Sequence, residues 1–178
     1  FGQALLSHFN HLLPEGSFSL YRIWSDQSLV LLMSHSLESS DVTRRCFAAY
    51  QNRLYLEDRS FDAVRARRDG ASCMFLHIRA DEFENPEHRE RIYTRNHLRE
   101  RLSVARSEAD GSVVSLNIYT HEGHSSYTDL HLSRFESLAR MLFAGVQRHL
   151  DLVGAPAPEA AGSLSDTELD KQFLLGLN

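Results

Sequence analysis

The chain has 178 residues, of which 42% are hydrophobic and 24% charged, and its formal net charge is −5 with histidine neutral. These values fit one globular domain with a sizeable core and a tail, and the negative charge argues against a nucleic-acid-binding domain, which needs clustered lysine and arginine. Cys46 and Cys73 lie in apolar segments without a CxxC partner, which indicates reduced core thiols. No apolar run reaches membrane-spanning length. We therefore expect a cytoplasmic protein with no membrane partner and, because the chain opens at Phe1, a piece of a longer polypeptide.

The hydrophobic pattern predicts a series of helices and strands in chain order. They are a helix over 3–13, strands over 17–24 and 29–35, a helix over 41–55, a strand over 72–79, a helix over 86–97, strands over 99–108 and 112–119, and a long helix over 128–153. Asp110-Gly111 predicts a two-residue hairpin turn with positive φ at both positions. Because two of the strand pairs are hairpins, we expect a mostly antiparallel sheet with helices packed on its faces, in the α+β class.

The long helix is predicted to dock on the sheet through one apolar stripe. The stripe consists of residues at three- and four-residue spacing, namely Phe135, Leu138, Leu142 and Val146. On the sheet, the side carrying Val114, Leu116 and Ile118 should meet this helix. Leu132, Phe143 and Leu150 lie off the stripe, so we predict that they form a homodimer interface; the alternative is that the first helix covers them.

The opposite sheet face mixes aromatic and polar side chains, a combination typical of small-molecule sites. Alternation along the strands places its members together, and we predict that they line a cavity between the sheet and the helices 41–55 and 86–97. The predicted ligand-binding residues are Tyr21, His77, Ser103, Ser115, Asn117 and Tyr119. The alternative is a face that is open to solvent or filled by the covering helices.

The second half of the chain resembles a known regulator family. The residues that carry the resemblance are Arg91-Ile-Tyr93, the His-Leu-Arg-x-Arg-Leu segment 97–102, Asp110-Gly111, Ser115-Leu-Asn-Ile-Tyr119, Asp129, and Leu138-Ala139 leading to Arg148-His149. Together they are similar to the N-terminal sensor regions of LuxR-type transcriptional regulators. The resemblance implies a GAF/PAS-like sensor domain over 1–154. It also implies that the Pro-rich linker and short helix over 155–178 lead to a C-terminal helix-turn-helix domain outside this chain.

The resemblance does not extend to the ligand of the family's autoinducer-binding branch. That branch carries a Trp-x-x-x-Tyr segment, whereas Trp24, the only tryptophan, is followed four residues later by Ser28. An acyl-homoserine lactone is therefore not implied, and the ligand remains an unidentified small molecule.

No sequence motif indicates catalysis, a metal or a cofactor. His121-Glu-Gly-His124 offers two possible ligands but lacks the helical spacing of an HExxH site. A serine nucleophile, Ser103 or Ser115, with His77 as base would lack any GxSxG context. The leading hypothesis is a ligand-sensing, dimeric regulatory module that contacts DNA only through the C-terminal domain. The alternatives are an enzyme that uses the polar sheet face and a ligand-free dimerisation scaffold.

Overall fold

The computed structural model describes residues 16–24, 28–37, 42–67 and 72–154, together with Gly2, Leu5 and Ser7, whose backbone is helical. The rest of the predicted helix over 3–13 lies outside the described residues. So does the predicted linker and terminal helix over 155–178.

One antiparallel sheet of five strands organises the molecule, in the spatial order β2-β1-β5-β4-β3. The strands are β1 (Ser17–Ile23), β2 (Leu29–Ser36), β3 (Met74–Arg79), β4 (Leu98–Ser107) and β5 (Val113–His121). The predicted strands are confirmed, with ends that differ by one or two residues. β5 occupies the centre and all nine of its residues are buried, which explains its content of β-branched and aromatic side chains.

The turn between β4 and β5 is wider than the predicted two-residue hairpin. Gly111 has a φ of 80°, but Asp110 keeps a negative φ. The Gly111 amide donates to the Glu108 carbonyl (2.9 Å), and the Glu108 amide donates to the Ser112 carbonyl (2.7 Å). The Asp110 carboxylate accepts from both the amide and the hydroxyl of Ser112. Gly111 is therefore sufficient as the one residue with positive φ in this turn, because the Asp110 side chain stabilises the turn through its hydrogen bonds to Ser112.

The helices differ strongly in regularity. They are α1 (Val42–Ala49), α2 (Tyr55–Glu57), α3 (Asp62–Ala66), α4 (Pro86–His88) and α5 (Asp129–Val153). Residues Tyr50–Leu54 join α1 to α2 through a kink, in which Asn52 and Arg53 leave the helical conformation and Arg53 has a φ of 74°. A π-helical turn, Arg89–Tyr93, follows α4 and leads into the 3₁₀ turn Thr94–Asn96. The predicted helices over 41–55 and 86–97 are thus present as interrupted helices, here called the first covering segment (42–57) and the second covering segment (86–96).

Helix α5 is regular along its whole length. The Thr128 side chain accepts from the His131 amide (3.4 Å) at its start and so caps the helix. At its end Gly154 takes a left-handed conformation, with a φ of 67°, that an L side chain adopts only with strain.

Each sheet face carries its own core. On the α5 face, Val114, Leu116 and Ile118 pack with α5, as predicted from the strand alternation. On the opposite face, here called the covering face, the two covering segments and α3 enclose Tyr21, Ala105 and Tyr119. The central strand therefore presents alternate residues to two separate cores.

The predicted dimer interface on α5 needs correction. The buried residues of this helix are Phe135, Ala139, Phe143, Val146 and Leu150, so the docking stripe passes through Phe143 and Leu150. The Phe143 ring lies under the guanidinium of Arg106, at 5.2 Å. Leu132 is partly buried against the same core. Phe143 and Leu150 lie in the protein's own interior, so they cannot form a surface for a second copy, whereas Leu132 is only partly covered and its place in an interface stays a prediction.

Candidate functional site

Three of the predicted ligand residues form a closed polar network on the covering face. Asn117 Oδ1 accepts hydrogen bonds from the hydroxyls of Ser103 (2.8 Å) and Ser115 (2.9 Å). Its Nδ2 donates to the carbonyls of Ser115 (3.1 Å) and Ser19 (3.4 Å). All three side chains are fully buried. The structure brings Ser103, Ser115 and Asn117 together as predicted, but their polar atoms satisfy one another and do not line a cavity.

Beside this network a small cavity of about 20 Å³ lies between the covering face and the two covering segments. Its wall is formed by Ser19, Tyr21, Thr43, Cys46, Phe47, Tyr50, His88, Ile92, Tyr93, Arg101 and Tyr119. Tyr21 and Tyr119 are thus the two predicted ligand residues that reach it. A cavity of this size has room for about one water molecule. We call it the inner cavity.

A buried ion pair forms one end of the inner cavity. Arg101 Nη1 lies 3.9 Å from Asp58 Oδ2, and Arg101 Nη2 donates to the Ser60 hydroxyl at 2.8 Å. Asp58 accepts from the Tyr50 hydroxyl (2.9 Å) and from the Ser60 amide (2.8 Å). Burial by itself raises the pKa of Asp58, but the charge of Arg101 and the Ser60 hydrogen bonds outweigh it, and the pKa is lowered. The pair therefore stays ionised inside the protein.

Two buried polar atoms at the inner cavity have no hydrogen-bond partner among the described residues. They are Arg101 Nε and the Tyr93 hydroxyl, whose residues are 3% and 1% exposed. Burial also raises the pKa of Tyr93, so its hydroxyl stays protonated and is able to donate. Unpaired buried donors are rare in proteins, and they mark a place where a further acceptor would be accommodated.

Aromatic rings hold the second covering segment onto this site. His88 stacks on Phe83 (centroids 4.4 Å apart), and Phe83 packs against Tyr93 (4.7 Å). Asn85 caps the segment by accepting from the amides of Glu87 and His88. Desolvation lowers the pKa of His88 to about 4, so this ring is neutral near pH 7. The segment is therefore anchored by stacking, not by charge.

The placement of His77 on this face was wrong. In the sheet register His77 pairs with Leu102, and its side chain lies on the α5 face. There its Nε2 lies 2.7 Å from Glu100 Oε2, and its ring is 6.0 Å from the ring of Tyr127. The sheet separates His77 from Ser103 and Ser115, so the nucleophile–base pair considered from the sequence is not formed.

A second and larger space was not predicted from the sequence. An open cleft of about 720 Å³ lies between the β4–β5 turn and the segment 55–65. Its lining includes Trp24, Tyr55, Asp58, Glu108 and Asp110. Asp58 lines this outer cleft and also pairs with Arg101 in the wall of the inner cavity. The ion pair thus forms part of the partition between the two spaces.

Arg101, Tyr93, His88 and Asp58 are the site residues that sequence reasoning missed. For Arg101 a signal was present, because it stands two residues before Ser103 on the same strand and therefore faces the same side. Asp58 directly follows the first covering segment and His88 belongs to the second, and the side that each presents to the sheet depends on breaks in the helices that periodicity does not show.

The described residues contain neither a cluster of metal ligands nor a membrane-spanning helix. Within residues 16–24, 28–37, 42–67 and 72–154, no group of three or more His, Cys, Asp or Glu side chains is arranged to hold a metal ion. In the same part of the chain, none of the helices combines the length and the apolar character that crossing a membrane requires.

No protein-family model matches the sequence, and comparison with curated protein sequences finds no match. Solved structures do resemble the fold. GAF3 from Slr1393 of Synechocystis sp. PCC6803, in its photoproduct state, has a TM-score of 0.56 at 16% identity, covering 82% of this chain and 90% of that one.

Two further similar structures come from regulatory proteins. The N-acylhomoserine lactone dependent LuxR family transcription factor CepR2 from Burkholderia cenocepacia has a TM-score of 0.58 at 10% identity, covering 80% of this chain and 78% of that one. A domain described as belonging to a two-component sensor histidine kinase from Sinorhizobium meliloti 1021 has a TM-score of 0.51 at 14% identity, covering 83% and 88%. At these identities the likeness concerns the fold, and the chain has a GAF-like α+β fold.

Proposed function

We propose that this chain is the ligand-sensing module of a LuxR-type transcriptional regulator and that its ligand binds in the inner cavity. The observation that carries this proposal is the pair of unpaired donors, Arg101 Nε and the Tyr93 hydroxyl, in the wall of a cavity enclosed by aromatic rings. The folds of a LuxR-family factor and of a histidine kinase domain support the same class. The protein acts in the cytoplasm, and DNA is contacted only by a helix-turn-helix domain that follows this module.

The described state is a closed one, since a cavity of about 20 Å³ holds no metabolite. Opening requires the second covering segment to move. This segment contains π-helical and 3₁₀ turns in place of regular helix, and its buried anchors are His88, Ile92 and Tyr93. π-Helical turns occur frequently at functional sites. A segment with few anchors opens at a lower free-energy cost than the strands beneath it.

Strand β5 connects the inner cavity to α5, so a displacement at the cavity can be transmitted to this helix. Tyr119 of β5 lines the cavity, whereas its neighbour Ile118 packs in the core beneath α5. A ligand that displaces Tyr119 therefore acts on the strand to which α5 is docked. Coupling of this kind needs a ligand that binds one arrangement of the strand better than the other.

A homodimer, if it forms through α5, must use the outer side of the helix. We propose that the interface centres on Leu130, Met141 and Leu152, which are 58%, 65% and 68% exposed. Leu130 and Met141 are eleven residues apart, and so are Met141 and Leu152. Eleven residues make about three helical turns, so the three side chains lie on one line along the helix, opposite the core. Because the spacing is the same on both sides of Met141, two antiparallel copies would pair Met141 with itself and Leu130 with Leu152. A self-complementary patch is what a two-fold dimer requires.

A ligand-free dimerisation scaffold is the second candidate. The closed Asn117 network and the small volume of the inner cavity favour it, because a core that is complete by itself needs no ligand. We do not propose an enzyme, since the hydroxyls of Ser103 and Ser115 both donate to Asn117 Oδ1 and, among the described residues, no base bonds to either hydroxyl.

A thermal-shift screen of bacterial metabolites separates the sensor from the scaffold. The matched control is Cys46→Val, which adds a methyl group to the wall of the inner cavity and removes the weak hydrogen bond from Sγ to the Ile92 carbonyl (3.5 Å). The sensor predicts compounds that raise the melting temperature of the wild type and not that of Cys46→Val. A library that stabilises neither protein, or both equally, supports the scaffold instead.

A further inference from the structure

The unpaired groups at the inner cavity define what a ligand must offer. Arg101 Nε is a cationic donor, and the Tyr93 hydroxyl is a neutral donor; both are buried, and both residues line the same cavity. A buried donor without a partner destabilises the protein until an acceptor reaches it. A ligand that carries acceptor oxygens therefore breaks no hydrogen bond between the described residues at these two atoms.

We infer that the inner cavity recognises a small carboxylic acid, whose carboxylate oxygens accept hydrogen bonds from Arg101 Nε and from the Tyr93 hydroxyl. This inference rests on the proposed sensing function and names the ligand class of the same site.

The charge arrangement around Arg101 favours a carboxylate over a neutral acceptor. The contact of 3.9 Å between Arg101 Nη1 and Asp58 Oδ2 is too long for a hydrogen bond. Asp58 instead accepts from the Tyr50 hydroxyl and from the Ser60 amide. Of the guanidinium donors, Nη2 bonds to the Ser60 hydroxyl and Nε has no partner among the described residues. A carboxylate suits this Nε better than a neutral acceptor, because charge-assisted hydrogen bonds are the stronger ones.

The other residues that line the inner cavity favour an acid whose hydrocarbon part is apolar. Apart from the unpaired donors, the side chains around the cavity are mostly aromatic or aliphatic, with Tyr21, Phe47 and Ile92 among them. Tyr119 turns its hydroxyl to Ser19 at 3.2 Å, so this polar atom is already engaged. A short hydrocarbon chain or one aromatic ring would pack against these surfaces once the second covering segment moves outward.

Isothermal titration calorimetry tests the ligand class with simple probes at pH 7. Benzoate, phenylacetate and butyrate are each compared with their primary amides, which keep shape and lose the charge. We expect at least one acid to bind at least tenfold more tightly than its amide. An amide that binds as well as its acid overturns the carboxylate assignment.

Two variants of the same cavity identify the contact. Tyr93→Phe removes a hydroxyl that has no partner, so we expect a melting temperature equal to or above that of the wild type and at least tenfold weaker acid binding. Tyr50→Phe is the matched control: it removes a hydroxyl already bonded to Asp58, so it should lower the melting temperature and weaken acid binding less. Unchanged acid binding in Tyr93→Phe overturns the proposed contact.

The inference and the proposed function fail in different ways. If neutral metabolites stabilise the wild type and not Cys46→Val, while no acid is preferred over its amide, only the ligand class is wrong. If no compound of either kind binds, both are wrong. Should Tyr93→Phe fail to fold, the acid-to-amide ratio of the wild-type protein still decides the question.

Discussion

Asn117 shows how much of the covering face depends on a single side chain. Its amide group accepts from two serine hydroxyls and donates to two backbone carbonyls, all of them buried. The sequence predicted that Ser103, Ser115 and Asn117 share a face, because strand alternation fixes that. It did not predict that they bond to one another, since this depends on the register between β4 and β5, in which Ser103 lies opposite Asn117.

Asn117→Ala should therefore be strongly destabilising. It leaves both serine hydroxyls without their acceptor, and unsatisfied buried groups cost about 1–3 kcal/mol each, so we expect a loss of about 2–6 kcal/mol in the free energy of unfolding. Urea denaturation followed by circular dichroism measures it. Ser103→Ala is the control and should cost clearly less, because it removes one donor and leaves Asn117 with another. Equal urea midpoints for Asn117→Ala and the wild type would contradict the network.

His88 gives a prediction for pH. Desolvation holds its pKa at about 4, below the ordinary 6.5. When the pH falls through 6.5, the unfolded chain takes up a proton at this residue and the folded chain does not, so the folded state loses stability until the pH reaches about 4. One pKa unit corresponds to about 1.4 kcal/mol, which gives a loss of about 3 kcal/mol over this window.

Urea denaturation at pH 7 and pH 4.5, compared with His88→Phe, isolates this effect. The phenyl ring keeps the stacking on Phe83 and removes the titrating group, so the variant should lose less stability between the two pH values. Asp58 does not interfere, because its lowered pKa means that its contribution is lost only below pH 3.8. A variant with the same pH dependence as the wild type would show that His88 is not the group responsible.

Among the elements, α5 shows where sequence periodicity is ambiguous. Leu138 and Leu142 suggested one stripe, but the structure centres the stripe one residue further on, through Ala139 and Phe143. Leu138 and Leu142 each stand one residue before a buried member of the stripe, so the pattern alone does not fix its centre. The existence of the helix and its Thr128 cap were predictable because both depend on local sequence.

Two neighbouring positions on α5 test the corrected assignment with the same substitution. Phe143→Glu places a carboxylate in the buried core, and we expect a loss of more than about 4 kcal/mol, with loss of the folded state. Met141→Glu changes the exposed side and should leave the circular dichroism spectrum unchanged, while turning a dimer into a monomer in sedimentation velocity. A wild-type protein that is monomeric at high concentration, or a dimeric Met141→Glu, contradicts the proposed interface.

The covering segments show the second limit of sequence reasoning. Each was predicted as a helix and each is helical in part, but Asn52 and Arg53 break the first and the π turn Arg89–Tyr93 interrupts the second. Asp58 follows the first break and His88 ends the three-residue helix α4, so no single helical period places either residue at the site. His77 was misplaced for a related reason, because the face of an edge strand is known only once its pairing is known.

Considered as a whole, the molecule is a sheet with a regular helix on one face and irregular segments on the other. Regular elements and their order were predictable from local patterns, and they suffice for the GAF-like fold. The candidate site consists of features that local sequence patterns do not predict, namely interrupted helices, a buried arginine and unpaired donors. That division is expected of a sensor, whose binding face has to move while its output face stays packed.

The six tyrosines of the chain allow the most direct test, because they report separately on each space. Tyr21, Tyr50, Tyr93 and Tyr119 line the inner cavity, Tyr55 lines the outer cleft, and Tyr127 lies on the α5 face. NMR spectra of tyrosine-labelled protein, recorded with each compound that stabilises the wild type, show which rings are contacted. Our account predicts that the four cavity tyrosines shift more than Tyr127. Shifts confined to Tyr55 or Tyr127, or no shift with any compound, would contradict it.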